Sequence, residues 1–193
     1  ESMALAPVFS AVVTPGFGAE HREMMLLLPQ LASLIARVRD GADVDRSGGE
    51  VTATRRGRVR VRYRLGPRDS LLLVEAMVAS ARVHLAAGAR EVRTLHVSPL
   101  VIRHERDLHL IRSRSIAPND VGLFATQLTG TCRLGADRAT SGTDPHGERY
   151  GAPGVFVADG TLLPTAPGVD PEETIMALAT LVAERIAARR RPG

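Results

Sequence analysis

The 193-residue sequence has no tryptophan, no lysine and one cysteine, and aromatic residues make up only 3% of it. A lone Cys132 rules out an internal disulfide and any multi-cysteine metal site. With so few rings, the core must be built from Leu, Val, Ile and Ala. A base-stacking surface for nucleic acid has no aromatic faces to use. Because lysine is absent, all 25 basic residues are Arg, set against 21 acidic ones, for a net charge of +4. The pI of 10.4 partly reflects the high pKa of guanidinium. Such a small excess does not argue for a nucleic-acid partner.

Long hydrophobic runs are also missing. The run Met24-Met25-Leu26-Leu27-Leu28 is far short of the roughly 20 residues that span a bilayer. Glu1-Ser2-Met3 carries no basic n-region, so no signal peptide is visible and a cytoplasmic location is expected. The opening Glu fits a processed chain or a piece of something larger. No Gly-x-Ser-x-Gly element points to a serine hydrolase. His84, His96, His104 and His109 share no ligand spacing with carboxylates, so no metal site is expected. His146 lies in a Pro-Gly turn and reads as exposed, while Cys132 lacks the basic surroundings of a reactive thiolate.

What is present is globular: 44% hydrophobic and 24% charged residues. The length suits one domain, or one domain plus a segment that completes another. Residues 1–18 read as irregular. Helical spacing of Met24, Leu27, Leu28, Leu31, Leu34, Ile35 and Val38 predicts a helix over residues 19–39, kinked or split at Pro29. Residues 44–65 read as a hairpin with Ser47-Gly48-Gly49 at its turn. In Arg58–Leu65 strict alternation places Val59, Val61, Tyr63 and Leu65 on one face and four Arg on the other. The Arg face reads as the solvated side of a half-buried strand rather than an anion-binding strip.

A helix is predicted over residues 67–87, with Pro67 in its first turn, Asp69 as N-cap and Gly88 as its stop. A strand over 91–97, a helix over 101–113, a loop at Asn119-Asp120 and a last helix over 171–190 follow.

The last third carries the strongest signal. Val155–Ala158 is a short apolar run fit for a buried parallel strand, ending in Asp159-Gly160 at its carboxyl edge. Ligands of open α/β sheets bind at that edge. A Pro- and Gly-rich loop leads to Asp170 as N-cap, Pro171 at the first helical position and Glu173 at the third. The free N–H groups of such a helix start would face a ligand there.

Gly130-Thr131-Cys132-Arg133-Leu134-Gly135, then Asp144-Pro145-x-Gly147-x-x-x-Gly151, then Val157-Ala158-Asp159-Gly160, then Pro164-Thr165-x-x-Gly168-Val169-x-Pro171-x-x-Thr174-Ile175-Met176-Ala177 complete the picture. In order and spacing they resemble the C-terminal signature of the glucose–methanol–choline (GMC) flavin oxidoreductases. The resemblance covers residues 124–186 closely. Upstream, residues 69–92 are similar to the long-chain-alcohol-oxidase-like branch.

The resemblance implies an α/β fold. An α+β substrate domain with a mixed or antiparallel sheet would be joined to a C-terminal strand and helix that complete an FAD-binding, Rossmann-like domain. It implies three parts: a substrate-binding part over 1–120, an active-site loop over 121–154, and the FAD-domain strand and helix over 155–193. It implies oxidation of a small-molecule alcohol by hydride transfer to FAD. Asp159, Gly160, Asp170, Pro171 and Thr174 fall at cofactor-binding positions, and Gln127 and Asp170 at reaction positions.

Three departures bear on that activity. Gln127 stands where the family carries a His, three residues before the Gly of Gly-Thr-Cys. An amide cannot take a proton as imidazole can. Asp170 replaces an Asn or His, and a carboxylate would repel an anionic reduced flavin. Both residues also have plain structural readings, Gln127 as a satisfied loop residue and Asp170 as an N-cap. Gly16-Phe17-Gly18 is the nearest thing to a dinucleotide fingerprint, and His21 fills the position of its third Gly. The chain is therefore expected to hold FAD only with a complementary N-terminal half, as a subunit or fragment that needs one, a separate FAD-binding chain being one such partner. A catalytically inactive remnant or a non-enzymatic binding module is the alternative.

Overall fold

The structure is a computed structural model that describes residues 7–41, 47–114, 116–125 and 127–189. In chain order it forms helices α1 (Pro7–Val13) and α2 (Gly18–Leu26), strands β1 (Gly48–Ala53) and β2 (Val59–Arg64), and helix α3 (Pro67–Ala86). Strands β3 (Val92–Arg93) and β4 (Val101–Ile102), helix α4 (His109–Ser113) and helix α5 (Glu172–Arg189) follow. Helices with small antiparallel sheets make an α/β fold, as expected. The chain divides into two compact units: Glu1–Val38 with Pro67–Phe124, and Arg39–Gly66 with Ala125–Gly193.

In the first unit, residues 7–13 are helical where an irregular segment was expected. Pro7 sits at the first helical position, where its missing N–H is no loss, and Pro15-Gly16 prevents continuation. The helix expected over 19–39 stops at Leu26. Pro29 lies in a 3₁₀ turn over Leu28–Gln30, and Leu31 is already extended, with φ −91° and ψ 133°. The apolar spacing of 31–38 is helical, but proline removes the donor that would carry the helix through.

Helix α3 begins at Pro67 and stops as predicted. Gly88 has φ +89°, and the N–H groups of Gly88 and Ala89 bond to Leu85 and His84 carbonyls. Asp69 is not its N-cap; it lies buried inside the first turn. The residue before the helix is Gly66, whose N–H donates to Ser47 Oγ at 2.8 Å. Val74, Val78 and Ala81 share one face at helical spacing. They pack with Ile102, Leu108 and Ile111 into the core, flanked by Met77, Leu85 and Val92.

Only two residues of the strand expected over 91–97 pair regularly: Val92 opposes Ile102 and Arg93 opposes Val101. Residues 101–102 are therefore strand, and the expected helix starts later, as a 3₁₀ turn over Glu105–Leu108 running into α4. Asn119 takes φ +60° in the expected turn.

His96 is fully buried in this unit and bridges antiparallel to Val121. Its Nδ1 meets Thr94 Oγ1 at 2.7 Å, while Nε2 has no partner among the described residues. Burial pushes its pKa down; the Arg114 cation adds to this, and Asp120 opposes it. Arg114 and Asp120 form a forked pair, at 3.2 and 2.7 Å.

In the second unit the hairpin forms, but its turn is not at Ser47-Gly48-Gly49. Gly48 and Gly49 open β1, and the reversal falls at Thr54–Arg58, where Gly57 has φ +71°. A glycine is needed at Gly49 because an added Cβ would lie 1.9 Å from the Arg62 carbonyl oxygen. The part of the expected hairpin before Ser47 lies outside the described residues.

The alternation is as read: Val51, Ala53, Val59, Val61 and Tyr63 share one face of the ribbon. That face is not half-buried as expected, since every residue of both strands is exposed. Nor is Val155–Ala158 a strand. Phe156 makes one antiparallel bridge to Glu148, and neither described sheet supplies a parallel neighbour. Among the described residues no helix is long and apolar enough to cross a membrane.

Candidate functional site

Three of the four motif segments fold onto one another in the second unit. The loop at residues 130–135 runs along the 3₁₀ turn Gly160–Leu162. Cys132 N–H bonds to the Thr161 carbonyl at 3.1 Å and Leu134 N–H to the Leu162 carbonyl at 3.0 Å. Thr143 is fully buried beneath this loop, and its Oγ1 donates toward the Cys132 and Arg133 carbonyls, each 3.3 Å away. In the second motif Asp144 closes a tight turn, its Oδ1 accepting from the N–H groups of His146 and Glu148 at 2.8 and 2.9 Å. His146 is exposed, as the sequence predicts.

Gly147, at φ +86°, lets the chain approach α5: an added Cβ would meet Val182 Cγ2 at 2.7 Å and the Val157 carbonyl oxygen at 3.0 Å. The far end of α5 is tied back to the same loop. Arg189 pairs with Glu148 at 2.5 Å and lies over the Phe156 ring, 5.3 Å from its centroid. The Gly154 N–H and the Arg189 cation hold the Glu148 carboxyl below its usual pKa.

The third motif shapes a cleft. Asp159 caps the 3₁₀ turn, its Oδ1 accepting from Thr161 N–H at 2.8 Å and from the Thr161 hydroxyl. Gly160 is buried and closely packed: a Cβ would stand 3.0 Å from both Ile175 Cδ1 and the Leu128 carbonyl oxygen. Gln127, Leu128, Asp159, Gly160, Thr161 and Ile175 line a cleft of about 320 Å³. The cleft thus joins Gln127 to the adjacent Asp159 and Gly160, which lie more than 30 positions further along the sequence.

The other site residues read from the sequence sit at the head of α5. The helix begins at Glu172, and the Pro171 carbonyl accepts its first bond, from Ile175 N–H at 2.8 Å. Pro171 is buried, whereas Asp170 and Thr174 are exposed and do not line the cleft. Pro171 rather than Asp170 is therefore the residue at the helix boundary.

Glu172 was not singled out by the sequence reading. Gln127 Nε2 donates to Glu172 Oε1 at 2.9 Å. A carboxylate accepts only, so the amide must turn its NH₂ toward Glu172, which leaves its carbonyl oxygen on the other side as an acceptor. An acidic residue in a helix's first turn signals only favourable placement in the dipole. Its pairing with Gln127 needs the fold.

The chain matches the model described as GMC oxidoreductase, for the C-terminal domain, over residues 45–179. It is 35% identical to an uncharacterized GMC-type oxidoreductase of Mycobacterium tuberculosis (strain ATCC 25618 / H37Rv), over 98% of this chain and 29% of that protein. It is 30% identical to a long-chain-alcohol oxidase of Arabidopsis thaliana, over 97% of this chain and 25% of that one. A segment of 85 residues, 43% of this chain, is 39% identical to a paromamine 6'-oxidase of Streptomyces fradiae and covers 16% of it. The chain thus spans less than a third of the length of the curated relatives it matches. By its matched residues and its relatives, the chain belongs to the GMC oxidoreductase family, as that family's C-terminal domain.

Proposed function

We propose that this chain is the C-terminal part of an FAD-dependent oxidoreductase acting on the CH–OH group of an alcohol. It works together with an N-terminal FAD-binding part. Residues 1–120 serve the substrate side, 121–154 the active-site loop, and 155–193 return to the FAD domain. The observation that carries this reading is the cleft in which Gln127 meets Asp159 and Gly160 beside Ile175 of α5.

The residues present suit one end of FAD and not the other. A cleft of about 320 Å³ is near the lower limit for ligand sites and takes a ring-sized group. The pyrophosphate end needs a strand, a glycine-rich turn and a helix. Gly16-Phe17-Gly18 instead joins two helices, α1 and α2, and belongs to the first unit. Glu20 carboxylate atoms approach within 3.9 Å of where a Gly16 Cβ would stand, a poor surrounding for phosphate.

Asp159 and Gly160, with Asp170, Pro171 and Thr174 at the α5 start, would hold the flavin ring. FAD supplies the two-electron acceptor when bound. The Gln127 amide orients the substrate: with its N–H on Glu172, its carbonyl oxygen accepts the alcohol O–H. As the carbon gives up its hydride, the O–H turns from the Gln127 carbonyl, which cannot keep the proton, to the Asp170 carboxylate, which would take it at the exposed head of α5. Asp170, Glu172 and Glu173 place three carboxylates there, which opposes the charge of an anionic reduced flavin.

That concentration of charge, together with Gln127 in place of His, favours a second reading, an inactive remnant. Co-expression with the N-terminal part of the M. tuberculosis relative separates them. Bound yellow flavin bleached by a long-chain alcohol supports the enzyme, and a colourless complex overturns it. Flavin that binds without bleaching, and bleaches once Gln127→His is made, marks a remnant on an intact frame.

A further inference from the structure

The β1–β2 hairpin is a two-faced ribbon. Val51, Ala53, Val59, Val61 and Tyr63 lie on one side and Glu50, Thr52, Arg60, Arg62 and Arg64 on the other. Such separation is what a sheet shows when one side is covered. Yet Val51, Val59, Val61 and Tyr63 are 53, 71, 68 and 51% exposed. An isolated two-stranded ribbon is marginal in water, and three or more strands or a packed layer are normally needed.

We propose that the apolar hairpin face is a docking surface for the N-terminal part of the GMC fold. The matched family residues include the whole hairpin. The M. tuberculosis relative aligns with 98% of this chain and has 71% of its own length left over. That remainder is the occupant, and it covers the Val51–Val59–Val61–Tyr63 face with an aliphatic layer. Arg55, Arg56 and Arg58, gathered at the turn end of the hairpin, call for carboxylates at that edge of the layer. The inference rests on reading the chain as a C-terminal part, but not on flavin.

The test co-expresses the full 193-residue chain with the tagged N-terminal part of the M. tuberculosis relative and measures the fraction that co-purifies. Wild type is expected to co-purify. Val61→Asp is expected to lower recovery at least tenfold, and Arg60→Gln, on the other face, by less than twofold. Because Val61 is exposed in the chain alone, the isolated Val61→Asp chain should melt within about 1 °C of wild type. If it does not fold, Val61→Thr keeps the strand preference and should still lower recovery severalfold.

Failure of the wild type to co-purify, or equal recovery with Val61→Asp, overturns the proposal. So does Val61-dependent self-association of the chain, or Val61-dependent binding to phosphatidylserine–phosphatidylcholine vesicles. Colour is read separately: a colourless complex that still requires Val61 sustains the docking face and defeats the flavin reading.

Discussion

Gln127 and Glu172, 45 positions apart, are joined by a hydrogen bond of 2.9 Å that sets which way the Gln127 amide faces. The bond ties the loop before the Gly-Thr-Cys segment to the first turn of α5. A double-mutant cycle with Gln127→Ala and Glu172→Ala is expected to give a coupling of about 0.5–1 kcal/mol in urea unfolding. Hydrogen bonds to charged groups run higher, but Glu172 is exposed and solvent screens it. A coupling indistinguishable from zero would mean that the pair does not orient the amide.

Backbone crowding at two glycines should be costly to disturb. Gly160→Ala forces a methyl to within 3.0 Å of a carbonyl oxygen that cannot easily yield, and is expected to destabilise by roughly 1–3 kcal/mol. Gly147→Ala adds a left-handed backbone at φ +86° to a 2.7 Å clash with Val182, so its loss should exceed that of Gly160→Ala by about 1 kcal/mol. Gly154→Ala, with open space around it and φ +82°, should lose only the backbone term of about 1–2 kcal/mol. Urea midpoints for the three variants test the order.

The aliphatic core of the first unit rests on few residues. Ile111 is fully buried, so Ile111→Ala is expected to destabilise by about 2–5 kcal/mol through lost burial and a cavity. Leu71, on the same unit's α3, is 68% exposed, and Leu71→Ala should change stability by less than about 0.5 kcal/mol. Equal effects of the two would contradict a core centred on Ile111.

His96 should make the first unit acid-sensitive. Its folded pKa lies below the ordinary value of 6.5 because burial and Arg114 outweigh the opposing Asp120 carboxylate. The unfolded state therefore binds the proton first. The contribution is complete above about pH 6.5 and declines as pH falls toward the folded pKa. His96→Gln removes that titration, and thermal melts between pH 7.5 and 5 (roughly bracketing the unfolded value) should flatten relative to wild type. An unchanged pH dependence would place the titrating group elsewhere.

Legibility in the sequence followed the range of the forces involved. The start and stop of α3 were readable because Pro67 and Gly88 act within one turn of where they stand. The inner-outer alternation of the hairpin was readable because strand periodicity is local. The helix over 19–39 was misread: apolar spacing there continues past Pro29, and the missing donor decides. The hairpin turn was misplaced because Ser47-Gly48-Gly49 looks like a turn. Gly49 is there instead for the close approach of the Arg62 carbonyl, a cross-strand fact. Val155–Ala158 has strand composition, but composition supplies no pairing partner.

The sequence by itself determined the family, the aliphatic make-up of the core, the glycine that stops α3, and the candidate positions Gln127, Asp159, Gly160 and Asp170. Those properties are carried by residue identity and short spacing. Only the tertiary structure decided that Gln127 faces Glu172, that Gly160 is wedged between Leu128 and Ile175, and that His96 is buried with a nitrogen unpartnered among the described residues. These are contacts between distant or separately folded segments, and their energies exist only once the chain has closed.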